Sequence, residues 1–177
     1  MAGGINLTEL KRYLKDRSRE ELVLEITGLF RGFPHVREYY AAKIGPDGLR
    51  RSLARAKKVI ENEFFPERGF GKARFTVAKK AIAEFTRLSA SPESIADLML
   101  FTVETGIEFT RTYGDIDESF YRGLESMYER ALRLISQKDL MRDFSDRCKA
   151  IIDEGVQVGW GFNETMQETY SGYFGGP

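Results

Sequence analysis

The chain has 177 residues, 42% of them hydrophobic and 31% charged, with 27 cationic and 27 anionic side chains. That is the make-up of a folded globular protein rather than a disordered one, and it is long enough for one well-buried domain. No run approaches the roughly 18 apolar residues of a membrane span, and the opening Met1-Ala2-Gly3-Gly4-Ile5-Asn6 lacks the basic and apolar regions of a signal peptide.

Cys148 is the single cysteine, so no internal disulfide can form, which predicts a reducing, cytoplasmic setting. His35 is the single histidine, which removes most histidine-based metal sites and catalytic triads. Net neutrality conceals a split. Residues 1–90 carry 19 Lys and Arg against 11 Asp and Glu, and residues 91–177 carry 8 against 16. The two halves are thus +8 and −8. A basic half can face a polyanion, or the two halves can pair within one fold.

The periodicity is helical almost throughout. Thr8 reads as the cap of a short first helix containing Lys11, Tyr13 and Leu14. Ser18 and Glu21 form a capping box that opens a second helix, with Leu22, Ile26, Leu29 and Phe30 on one face and a break at Gly32. Pro34 suits the first turn of a third, stopped by Gly45. A fourth runs from Asp47 to about Glu63, aligning Leu49, Leu53, Ala56 and Ile60. After the segment 64–71, a long helix is expected to Leu88, burying Val77, Ala78, Ala81, Phe85 and Leu88.

Ser91-Pro92-Glu93 starts the next helix with cap and proline in the expected order. It is apolar over most of its circumference, through Ile95, Leu98, Met99, Val103, Phe109 and Tyr113 with Leu100, Phe101 and Ile107 beside them. Such a helix should lie at the centre. Asp117 caps a helix carrying Phe120, Leu124, Met127, Ala131 and Ile135; another spans Asp139 to Glu154. The tail, 155–177, is a glycine- and aromatic-rich segment. Gly159-Trp160-Gly161-Phe162 is expected to plug one end of the core, and Asn163 to cap a short helix with Met166 and Tyr170. With no convincing strand and short linkers, the pattern predicts an all-α single domain over 1–177. It is either an antiparallel bundle or a short α-solenoid-like array of seven to nine helices.

Four groups of residues carry candidate chemistry. Arg68, Gly69, Gly71 and Lys72 precede a helix, where free backbone N–H groups and the helix dipole can hold an anion. Arg74 falls in phase with Val77, Ala81 and Phe85 and so predicts a buried ion pair, with Glu104 or Glu108 as its partner. Lys72, Lys79, Lys80 and Arg87 form a candidate nucleic-acid face, extended by Arg50, Arg51, Arg55, Lys57 and Lys58. Asp97, Glu104 and Glu108 in a stripe on the enclosed helix, with Asp115, Asp117 and Glu118 at its end, are weak metal candidates for Mg²⁺ or Mn²⁺, since Asp117 is accounted for by capping and Glu108 by pairing with Arg111. Cys148 reads as a core filler and His35 as solvent-facing, so no catalytic residue emerges and no cofactor is implied.

The segments Phe65-Pro66-Glu67-Arg68-Gly69-Phe70-Gly71-Lys72-Ala73, Val103-Glu104-Thr105-Gly106-Ile107-Glu108-Phe109-Thr110, Tyr113-Gly114-Asp115-Ile116-Asp117-Glu118 and Gly159-Trp160-Gly161-Phe162 together resemble an uncharacterised family of small bacterial helical proteins. So does the opening 7–22. The resemblance covers nearly the whole chain. It implies a free-standing, all-helical, cytoplasmic protein and brings no activity, substrate or catalytic residue. The leading expectation is a non-enzymatic helical scaffold whose partner is another protein. A nucleic-acid or phosphate-ligand binder using the basic half is the rival class, and a metal-dependent enzyme using the acidic half comes third.

Overall fold

In the computed structural model, which describes residues 4–88, 91–155 and 161–175, the chain forms nine helices and no strand among those residues. They are α1 (Leu7–Lys15), α2 (Arg19–Gly32), α3 (Pro34–Ile44), α4 (Pro46–Phe64), α5 (Phe75–Leu88), α6 (Pro92–Tyr113), α7 (Glu118–Gln137), α8 (Met141–Glu154) and α9 (Phe162–Phe174). Gly159 and Trp160 of the expected plug lie outside the described residues; Phe162, Met166 and Tyr170 of the same tail are buried in the core.

Several boundaries follow from caps. Ser18 and Glu21 make the reciprocal capping box, and the side chains of Ser91 and Asp117 accept from Ser94 N and Phe120 N. Elsewhere the ends differ from the sequence pattern. Asn6, not Thr8, caps α1, because its side-chain oxygen reaches the N–H groups of both Thr8 and Glu9. The fifth helix starts at Phe75 rather than straight after Gly71, because Ala73 is left-handed at φ 47° and interrupts it. Asp139, at φ 54°, likewise delays α8 to Met141. Asn163 sits inside α9, where its amide donates to Ile152 O at 2.7 Å and ties α9 to α8.

Twelve of the 22 residues of α6 are buried, on nearly every side. Its enclosed threonines do not strand a hydroxyl: Thr102 donates to Leu98 O at 2.9 Å and Thr110 to Ile107 O at 2.8 Å. Helix α7 lies antiparallel along it, so that Phe109 meets Phe120 and Gly106 meets Leu124. Helices α4, α5 and α8 cover other sides, and α9 packs on α7 and α8. Phe64, fully buried at the end of α4, is the hub of an aromatic cluster, with ring centroids 5.8 Å from Phe109, 6.0 Å from Phe75 and 6.4 Å from Phe120. Edge-on contacts of this kind add to the burial of the rings themselves. Here the segments 65–73, 103–110 and 113–118 come together.

Helices α1 and α2 bury none of their residues. They reach the rest of the fold chiefly through α2 on α3, and α3 on α4. The chain therefore has a body, α4–α9, and an N-terminal arm, α1–α2, standing on α3.

Gly71 is required by close approach, since a Cβ there would lie 1.7 Å from Phe64 O. Gly71→Ala should therefore cost about 2–3 kcal/mol, the scale of overpacking, in urea denaturation. Gly28→Ala in α2, where a Cβ meets nothing within 4 Å, should be neutral or mildly stabilising. Equal effects of the two would contradict the packing described.

Candidate functional site

The loop 65–74 does gather backbone donors, and Glu63 already takes them. Lys72 N and Ala73 N both donate to Glu63 O, at 3.0 and 3.2 Å, and Arg74 N donates to Glu63 Oε1 at 3.2 Å. The guanidinium of Arg74 closes on the same carboxylate, Nε to Oε1 at 2.7 Å and Nη2 to Oε2 at 3.1 Å. The candidate anion cradle of Arg68, Gly69, Gly71 and Lys72 thus has the N–H groups of Lys72 and Ala73 turned onto the Glu63 backbone carbonyl and that of Arg74 onto the Glu63 carboxylate, while the Arg68 and Lys72 side chains stay exposed. The Arg74 hydrogen bond is the main reason the Glu63 carboxyl titrates below its ordinary value, against the opposing effect of burial.

This corrects the expected ion pair. Arg74 precedes α5 instead of lying on its apolar face; its side chain is 55% exposed, and its partner is Glu63 rather than Glu104 or Glu108. Glu108 is exposed, and Arg111 pairs not with it but with Glu154, at 3.9 Å.

Glu104 belongs to a different network. Arg147 of α8 donates from Nε and Nη2 to the two Glu104 carboxylate oxygens at 2.6 and 2.7 Å, and from Nη1 to Asp97 Oδ1 at 2.6 Å. Lys57 of α4 completes it, 2.7 Å from Asp97 Oδ2. Burial opposes the Arg147 charge, but the hydrogen bonds to Glu104 and Asp97 outweigh it and hold the guanidinium above its ordinary pKa. Asp97 and Glu104 are seven residues apart, two turns along one face of α6, so one forked guanidinium spans both. The signal in the sequence was that spacing together with an arginine beside the core residue Cys148. Two cations against two anions make the network neutral, a strut joining α4, α6 and α8.

Lys72, Lys79, Lys80 and Arg87 are exposed and form no ion pair among the described residues. On α4, by contrast, Arg50, Arg55, Lys57 and Lys58 each pair with a carboxylate. Among the described pairs, Lys57–Asp97 is the one that joins the basic half to the acidic half. Between α4 and α5 runs a groove of about 490 Å³ floored by Ala56, Val77, Ala81 and Phe85, with Arg55, Lys80 and Glu84 at its edge.

No group of three or more His, Cys, Asp or Glu residues able to hold a metal occurs among the described residues. Asp115 accepts from the Tyr121 hydroxyl, Asp117 caps α7, and Glu118 pairs with Arg122 at 3.1 Å. Cys148 is fully buried, and burial pushes its thiol up to about 12. The His35 side chain is 97% exposed.

The largest feature that the sequence pattern does not reveal is apolar. Eleven of the fourteen exposed large hydrophobic residues among those described fall between Ile5 and Ile44. The pattern predicts a buried face for the stripe Leu22, Ile26, Leu29 and Phe30. In the structure Ile26, Leu29 and Phe30 are 40–47% exposed, and Leu7 and Leu10 of α1 add 66% and 45%. The Tyr13 hydroxyl donates to Glu25 Oε1 at 2.6 Å and ties α1 to α2, with both apolar stripes left partly exposed.

Residues 5–173 match the model of a family described as a family of unknown function, DUF6155. The chain belongs to that family. No curated protein and no solved structure matches it. Among the described residues, no helix is long and apolar enough to cross a membrane.

Because Glu63 has a depressed pKa in the fold, its contribution is complete above the unfolded value of about 4.3 and is lost as pH falls through the lower folded value. Glu63→Gln should cost about 1–3 kcal/mol near neutral pH and flatten the loss of stability between about pH 5 and 3 relative to wild type. Unchanged acid sensitivity would contradict the assignment. Arg147→Ala should cost about 2–3 kcal/mol in urea denaturation, somewhat under the figure for a fully buried pair because the network is partly wet. A cost under about 0.5 kcal/mol would mark it as an ordinary surface pair.

Proposed function

We propose that this member of the family is a non-enzymatic protein-interaction module: α4–α9 form the scaffold and the α1–α2 arm is the docking element. One observation carries the reading. Helix α2 is apolar on a broad face, as a buried helix would be, yet it contributes no buried residue. Contiguous apolar patches beyond a few hundred Å² mark interaction sites on soluble chains.

Charge supports a protein as the partner. Residues 4–33 carry six cations and five anions, and the basic excess of the first half falls on residues 34–90. A nearly neutral, apolar arm offers little to a polyanion. The displaced titrations support a structural role for the polar groups, since Glu63 and Arg147 are held by ion pairs and Cys148 by burial. A neutral buried thiol also suits the cytoplasm proposed for the chain. A photo-crosslinking side chain at position 29, introduced in the native cell, should give a discrete protein adduct that Ile26→Glu abolishes. The same probe in place of Lys149, exposed on α8, should give none. Adducts that ignore Ile26→Glu, or none at either position, would overturn the reading.

A second reading rests on Lys79, Lys80 and Arg87, exposed along α5 and without an ion pair among the described residues. If they touch phosphates, binding to single or double strands should weaken with salt. Replacing all three by Ala should lower the log–log slope by roughly 0.7–0.9 for each phosphate no longer neutralised. The expected result is no low-micromolar binding near physiological salt; finding it would place this reading first.

A further inference from the structure

From the pattern on the arm, we infer that its occupant is a second copy of this chain: α1 and α2 of one copy pair with α2 and α1 of the other about a two-fold axis. This rests on the interaction reading above and names its partner.

A two-fold interface buries the same patch on both copies, so the patch must be complementary to itself. The arm meets this in apolarity and in charge. At 100° per residue, Leu22, Val23, Ile26, Leu29 and Phe30 fall within one stripe of α2, and Leu7, Leu10 and Leu14 within one stripe of α1. Beside those stripes the signs are opposite. Lys11 flanks the stripe of α1, whereas Glu20 and Glu25 flank that of α2, which Arg19 enters at its first turn. Laying α1 of one copy against α2 of the other brings basic onto acidic at both symmetry-related contacts. A polyanion or an anionic lipid surface would need one sign throughout, and meets a balanced arm instead. A standard interface takes about 800 Å² from each partner, an area two helices with their apolar faces turned outward can supply. Four helices then enclose one apolar seam, the usual means of burying two such stripes.

Sedimentation equilibrium of the full chain over roughly 1–100 µM, a range spanning common dimer affinities, tests this. Wild type should be a dimer. Ile26→Glu and Leu29→Glu should each raise the dimer Kd at least about 30-fold, as expected for a charge placed among central apolar anchors. Ile26→Leu should retain the dimer. All variants should keep the wild-type helical circular dichroism and thermal transition of the body, because both positions lie outside the core. A dimer that survives both Glu variants would overturn the proposal by placing the interface elsewhere. A monomer throughout the range would also overturn it. If that monomer still gave the position-29 adduct with a different protein, the interaction reading would stand; if it gave none, both would fall.

Discussion

A helix that is apolar on almost every side has no stable place except inside, and α6 imposes that requirement on the rest of the body. Its twelve buried residues must be covered from several directions. Helix α7 packs close enough that Gly106 leaves no room for a Cβ beside Leu124, and α4, α5 and α8 close the remaining sides. The polar groups of α6 are fitted to that enclosure. Threonine hydroxyls turn back onto its own backbone, and Asp97 and Glu104 are matched by Arg147 and Lys57. Charged groups brought so near the core would otherwise oppose folding.

Helix α2 poses the same physical problem without the same answer. It has an apolar stripe comparable to those of the body, yet among the described residues the cover is partial, and Ile26, Leu29 and Phe30 stay 40–47% exposed. The arm is held internally by local devices instead: two capping boxes, the Tyr13–Glu25 hydrogen bond and the Arg17–Glu21 pair at 3.1 Å. Such devices order the two helices without burying them. The body is complete in itself and the arm is not, and this difference is the basis for placing function at the arm.

Caps and periodicity made most of the fold legible in the sequence. Ser18, Ser91, Pro92 and Asp117 act locally, within one helical turn, and their sequence spacing translates directly into structure. The breadth of the apolar pattern on α6 likewise marked the centre. What failed was long-range. Helical phase placed Arg74 on a buried face, but phase has no meaning where the left-handed Ala73 has already interrupted the helix. The partner of Glu104 lay 43 residues away in Arg147, and no local rule selects it over Arg74. The glycine loop read as an anion cradle, but Glu63 takes up its N–H groups, those of Lys72 and Ala73 at its backbone carbonyl and that of Arg74 at its carboxylate. An amphipathic stripe, finally, says that a face wants covering but not by what, and for that reason the α2 stripe reads as core.

Amide hydrogen exchange of the intact chain at low and high protein concentration tests the contrast between body and arm most directly. Amides of α6 should exchange only with global unfolding and show the same protection at both concentrations. Amides of α2 should be weakly protected when dilute and gain protection as concentration rises. Protection of α2 that matched α6 when dilute would contradict the account, because the arm would then be buried by its own chain.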